Sequence, residues 1–131
     1  MDKNTKIAIN TTLNQIGVPH DLKGYMYIVS AIEKCIDDRS KVNRITKVLY
    51  KEIAEENGTT ISRTERAIRH AIEVSWSRGN MDVISIIFGY TVSALKGKPT
   101  NSEFIALLTD FIVLRIDEIV NGTYQWKKGG V

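Results

Sequence analysis

Among 131 residues there is one cysteine, Cys35, and there are two histidines, His20 and His70. A lone cysteine cannot form an internal disulfide, and this set offers no zinc-ligand spacing. Cys35 sits among apolar neighbours on a predicted helix, so a buried free thiol in a reducing compartment is the expectation. No apolar run reaches the ~18 residues of a membrane span. The start, Met1-Asp2-Lys3-Asn4-Thr5-Lys6, is not followed by the apolar stretch of a secretory signal. A cytoplasmic location and no membrane partner are therefore expected. No serine or cysteine is visibly paired with a histidine and an acid, so no catalytic residue, metal or cofactor is expected and the chain is not read as an enzyme. Gly97-Lys98-Pro99-Thr100 has the ending of a phosphate-binding loop, but Val92 stands where its upstream glycine belongs and no buried strand precedes it. Repeats, low-complexity blocks and dividing linkers are absent, and the length suits one domain with one core.

Excess charge is also scarce. Eighteen basic residues against fifteen acidic ones leave a net charge of +3. That excess cannot establish nucleic-acid binding, so the placement of the charges has to carry the argument.

What is present is helical periodicity, nearly throughout. Ile9, Leu13 and Ile16 stripe a first helix closed by Gly17 and Pro19, and Tyr25, Ile28, Val29, Ile32 and Ile36 mark a second from about Leu22 to Asp37. Asp37 to Lys41 reads as a polar loop. Ile45, Val48, Leu49 and Ile53 stripe a third helix ending at Asn57-Gly58. A fourth runs from about Ser62 to Arg78, and Met81, Ile84, Ile87 and Phe88 mark a short fifth one ended by Gly89. Tyr90 to Pro99 reads as a connection. Thr100-Asn101-Ser102-Glu103, a capping-box pattern, opens a final helix striped by Phe104 to Ile119 and ended by Asn121-Gly122. The expected fold is an all-α six-helix bundle containing a helix-turn-helix. Residues 1–120 form the domain, and 121–131 form a flexible tail. Tyr124 and Trp126 in that tail have three open readings: folding back, self-contact or disorder.

The fourth helix carries the functional signal. At about 100° per residue, Ser62, Arg63, Arg66, Arg69 and His70 fall in one arc of roughly 120°. Ile61, Thr64, Ala67, Ile68, Ala71, Ile72 and Val74 fill the opposite side. Helix, glycine turn, then a helix with an apolar back and a cationic front is the helix-turn-helix pattern. Arg63 and Arg66 lie near the helix start, which meets base edges, and an arginine fork fits guanine O6 and N7. Arg69 and His70 lie one to two turns later and suit phosphate. Ser62-Arg63-Thr64-Glu65 matches a capping box. Glu65 has two readings, the cap or acceptance of a hydrogen bond from cytosine N4, and the helical wheel favours the cap. Lys96 and Lys98 flank the last helix start, where a phosphate contact and an ordinary exposed lysine loop are equally good readings. The opposing account of the whole arc is a solvated charged surface helix.

The run Ser62 to Val74, followed by Trp76-Ser77-Arg78-Gly79-Asn80, resembles the recognition-helix signature of the stage zero sporulation protein A family of response regulators. Ile16-Gly17-Val18-Pro19, Lys23-Gly24-Tyr25, Ile45 to Tyr50, Phe88 to Thr91 and Lys98 to Ala106 match it in order. The resemblance covers about Asn4 to Ile116. It implies an all-helical effector domain that binds double-stranded DNA at a short specific box with the recognition helix in the major groove. It further implies that Arg63, Glu65 and Arg66 contact bases, and that Arg69, His70 and Lys98 contact the backbone; Ser62 and Lys96, which stand beside them, are taken as further phosphate contacts. The segment matching Trp76 to Gly89 faces RNA polymerase sigma factor in the family, which makes Arg78 and Asp82 candidates for an activating surface.

Three departures from the family accompany the match. Only Met-Asp-Lys precedes Asn4, where the full-length regulator carries a phosphorylated receiver domain, so the expectation is an excised effector domain or a stand-alone paralogue. Thr64 replaces a usual valine, which is expected to loosen packing. The chain also continues past the usual family end, where its last helix or tail is a candidate for weak homodimer contacts on tandem sites. The alternative function is a receiver-less interaction module that binds sigma factor, the full-length regulator or its boxes without activating transcription.

Overall fold

Asp2 caps the first helix, its carboxylate accepting from the Thr5 N–H at 2.7 Å. The computed structural model describes residues 2–95 and 97–127, with residues 90–95 described by backbone alone. Helix α1 spans Lys3–Ile16 and stops at Gly17, whose φ of +97° is the left-handed cap that glycine adopts without strain. Next come α2 (Lys23–Asp37), a 3₁₀ turn (Arg39–Arg44), a π-helical turn (Ile45–Tyr50) and α3 (Lys51–Glu56). They are followed by α4 (Ile61–Arg78), α5 (Met81–Leu95), α6 (Asn101–Val113) and α7 (Ile116–Asn121). The described residues are helical and contain no strand.

Several predicted boundaries move. The polar stretch after Asp37 is not a loop, because Asp38 accepts from the Ser40 N–H and starts the 3₁₀ turn. The fifth helix does not end at Gly89. It bends there, at φ +42°, and continues to Leu95. The single final helix is two, which makes seven α-helices among the described residues where six were predicted. The break at Leu114-Arg115 carries no proline or glycine; the Arg115 guanidinium satisfies the Phe111 carbonyl at 3.2 Å. Beyond it, α7 packs against α1 and buries Ile119.

The segment expected to be a flexible tail is packed as far as Trp126. Tyr124 meets the Phe111 ring edge-on with centroids 5.5 Å apart, Trp126 lies 6.0 Å from the same ring, and Arg115 sits 4.3 Å above it. Of the three readings of the tail aromatics, folding back is the one realised.

The core runs through every α-helix. Ile9, Leu13, Ile28, Ile32, Leu49, Ile53, Ile68, Ile72 and Ile105 are fully buried. Trp76, Phe88 and Phe104 join them as an aromatic cluster with centroids 5.0 to 6.0 Å apart. The small Ala67 on the apolar back of α4 has a packing reason. Helix α2 crosses α4 at Gly24. A Cβ at Gly24 would collide with the Ala67 carbonyl and stand 2.8 Å from the Ala71 Cβ. Thr64, expected to loosen this packing, is fully buried, and its hydroxyl donates to the Thr60 carbonyl at 2.9 Å.

A second close contact fixes the far end of α4. Gly79 approaches Gly17 so closely that a Cβ on Gly17 would lie 2.9 Å from the Gly79 Cα, and the Asn80 N–H donates to the Ile16 carbonyl at 2.9 Å. Gly24→Ala should lower unfolding free energy by about 2–3 kcal/mol through forced separation of the two helices. Gly58→Ala, in the open turn before α4 at φ +61°, should cost about 1–2 kcal/mol from backbone strain alone. Urea unfolding of the two variants checks both values and their order.

Candidate nucleic-acid interface

Helix α4 starts earlier than its sequence pattern suggests. Thr60 is extended, at φ −108° and ψ 161°, and its hydroxyl accepts from the Arg63 N–H at 3.1 Å. Thr60 is therefore the cap, and the Ser62–Glu65 capping box does not form. Ser62 already lies inside the first turn, where its carbonyl accepts from Arg66 Nε at 3.4 Å. Released from capping, Glu65 pairs with Arg69 one turn on, at 3.0 Å. The second predicted box does form: Thr100 accepts from the Glu103 N–H, and the Glu103 carboxylate accepts from the Thr100 N–H at 2.8 Å.

Ser62, Arg63, Arg66, Arg69 and His70 are all exposed along α4, as the wheel requires, while Ile68, Ala71 and Ile72 are buried behind them. The arc borders two different clefts. Arg69 and Glu65 line one of about 390 Å³ with Tyr50, Lys98, Thr100 and Asn101. His70 lines another of about 410 Å³ with Asp21, Leu22, Glu73, Ser77 and Arg78. So Lys98 joins Arg69, and the sequence grouping of Arg69 with His70 divides between two neighbouring clefts. Lys98 reaches α4 directly, its ammonium 3.2 Å from the Glu73 carboxylate. Arg78 ends α4 and Asp82 lies in the first turn of α5, both exposed beside the Gly79-Asn80 turn. Lys96 lies outside the described residues.

Three functional neighbours were not found from the sequence. Asn101, nearly buried, donates from Nδ2 to the Tyr50 hydroxyl at 2.9 Å and to the Glu65 carbonyl at 3.1 Å. It thereby ties the start of α6 and the segment before α3 to the first turns of α4. Burial raises the Tyr50 phenol above its ordinary value, opposed by the Asn101 hydrogen bond, so the group stays protonated around neutral pH. Glu73, the third, holds Lys98. The Glu65–Arg69 spacing of four was a readable signal, whereas Tyr50 and Asn101 are 51 positions apart and nothing in the periodicity links them.

Chemically, the site presents cations already oriented by carboxylates at its edges and arginine forks left open at its centre. No group of three or more potential metal ligands occurs among the described residues, and no helix there is long and apolar enough to cross a membrane. Asn101→Ala should cost about 1–3 kcal/mol of stability by stranding the buried Tyr50 hydroxyl. Tyr50→Phe alone should cost about 1 kcal/mol. The double variant should lose less than the sum, which a urea-unfolding cycle measures.

Residues 9–112 match the family described as sporulation initiation factor Spo0A C terminal. The match begins within α1 and ends within α6. It contains the turn, α4 and both clefts, and leaves α7 and the strap that Tyr124 and Trp126 lay over Phe111 outside. This all-helical chain thus belongs to the Spo0A C-terminal family, a DNA-binding family of sporulation and transcription regulation.

Proposed function

We propose that this chain is a sequence-specific regulator of transcription of the sporulation-initiation type, with α4 in the major groove of a short DNA box. The observation that carries this reading is the exposed basic arc on a helix whose opposite face is clamped by glycine and alanine contacts. Arg63 and Arg66 read guanines near the start of α4. Glu65 accepts from a cytosine, and its role as a cap falls away with Thr60 in that place. Ser62, Arg69, His70 and Lys98 hold phosphates, which give register and salt-dependent affinity, and the base contacts discriminate. Arg78 and Asp82 form a surface for sigma factor, supported by their exposure at the α4–α5 turn, and Arg78 borders the His70 cleft. A DNA target puts the working protein in the cytoplasm.

The test is binding to a labelled duplex carrying the family's box against a scrambled duplex at two salt concentrations. A large preference that persists at higher salt supports specific readout, and equal binding overturns it. Arg66→Ala should cost about 1–3 kcal/mol on the box and flatten the preference. Lys98→Gln should weaken both duplexes alike and reduce the salt slope by about 1. Intact box binding without transcriptional output would assign the chain to the interaction-module alternative.

A further inference from the structure

Helix α4 carries two acids, Glu65 and Glu73. At about 100° per residue, Glu65 falls about 40° outside the edge of the basic arc, whereas Glu73 falls inside it, about 20° from Ser62 and between Arg69 and Arg66. Its neighbours one turn back are Arg69 and His70, at spacings of four and three. The structure places Glu73 between the clefts that these two cations border. Its carboxylate holds the Lys98 ammonium of the Arg69 cleft at 3.2 Å, and its side chain lines the His70 cleft. Arg69, His70 and Lys98, the proposed phosphate cations, thus share Glu73 as a neighbour. The other acids nearby are engaged or balanced: Glu65 pairs with Arg69, Glu103 caps α6, and Asp21 shares the His70 cleft with the opposite charge of Arg78.

A carboxylate at this place is not needed by the core. The Glu73 and Lys98 side chains are both nearly half exposed, so their bridge adds little to stability. Toward DNA it has two effects of the same sign. A negative charge within the arc repels each phosphate that approaches, and the bridge competes with phosphate for the Lys98 ammonium. Both effects act on the nucleic-acid backbone, which is the same in any sequence. We infer that Glu73 is an affinity-limiting residue of the DNA interface. It opposes the phosphate contacts of Arg69, His70 and Lys98, so that a duplex offering its backbone alone is held weakly. A duplex that also engages Arg63, Glu65 and Arg66 supplies base contacts that outweigh the opposition. This inference rests on the DNA-binding reading above.

The experiment compares the full chain, Glu73→Gln, and the charge-matched Glu118→Gln, an exposed position on α7 outside both clefts. Each is titrated with box and scrambled duplexes over a range of salt, with urea unfolding to confirm equal stability. Glutamine keeps the size and one carbonyl oxygen of the side chain and removes its charge. Glu73→Gln should bind both duplexes about three- to fivefold more tightly at low salt and keep the preference for the box, and the gain should fade as salt screens it. Glu118→Gln should bind as the unsubstituted chain does. Unchanged binding by Glu73→Gln overturns the inference. Weaker binding also overturns it and would make Glu73 an anchor that aims Lys98. An equal gain in Glu118→Gln overturns it as well, since net charge alone would then account for the effect. Binding by the unsubstituted chain without box preference would overturn base reading alone, and the Glu73→Gln gain would still decide the role of Glu73. No binding to either duplex by any of these chains would overturn both.

Discussion

The contact between α2 and α4 at Gly24 constrains everything outward of it. Two helices can approach this closely only if one offers no side chain and the other offers alanines, and the chain supplies Gly24 against Ala67 and Ala71. Backbone packed on backbone has no rotamers to adjust, so α4 cannot rotate or slide without a clash. Gly17 against Gly79 repeats the device at the end of the helix, and Asn101 on the Glu65 carbonyl holds its beginning. A helix fixed at three points along its length keeps its polar arc in a single orientation. That is the property a reader of base edges needs, because bidentate contacts tolerate little angular error.

The exposed ion pairs act differently. Glu65–Arg69 and Glu73–Lys98 join partly exposed side chains, for which the net contribution to stability is about 0–1 kcal/mol. Exchange of such a carboxylate for a phosphate therefore costs little, while the pairing limits the conformers a long cation explores before it meets DNA. Glu65 has a double place here, since it is a partner of Arg69 in the free protein and a base acceptor in the proposed complex.

Much of this was legible in the sequence, and the misses have physical reasons. Amphipathic spacing located the helices, Gly17 and Gly122 ended α1 and α7, and Thr100 with Glu103 formed the expected cap. At α4 the capping-box pattern pointed to Ser62, although Thr60 is by residue type an equally good cap. The backbone chose Thr60 because the chain is already helical at Ile61. The division of the last helix depends on α1 as a surface for α7, and the Tyr50–Asn101 bond joins segments far apart in the chain. Tertiary contacts of this kind leave no periodic trace. The same holds for the separation of His70 from Arg69, since adjacent residues on a wheel border different neighbours once other elements pack alongside.

The pairing of α1 with α7, secured by the aromatic strap over Phe111, has a mechanical consequence. The first and last described helices are each other's neighbours, so neither can fray without exposing the apolar side of the other. Helix α1 also ends at the Gly17–Gly79 contact, which makes it a brace running from the strapped end of the fold to the end of the recognition helix. Slack introduced at α7 would therefore travel along α1 and arrive at α4, and residues beyond the shared family region would share in setting how firmly that helix is held.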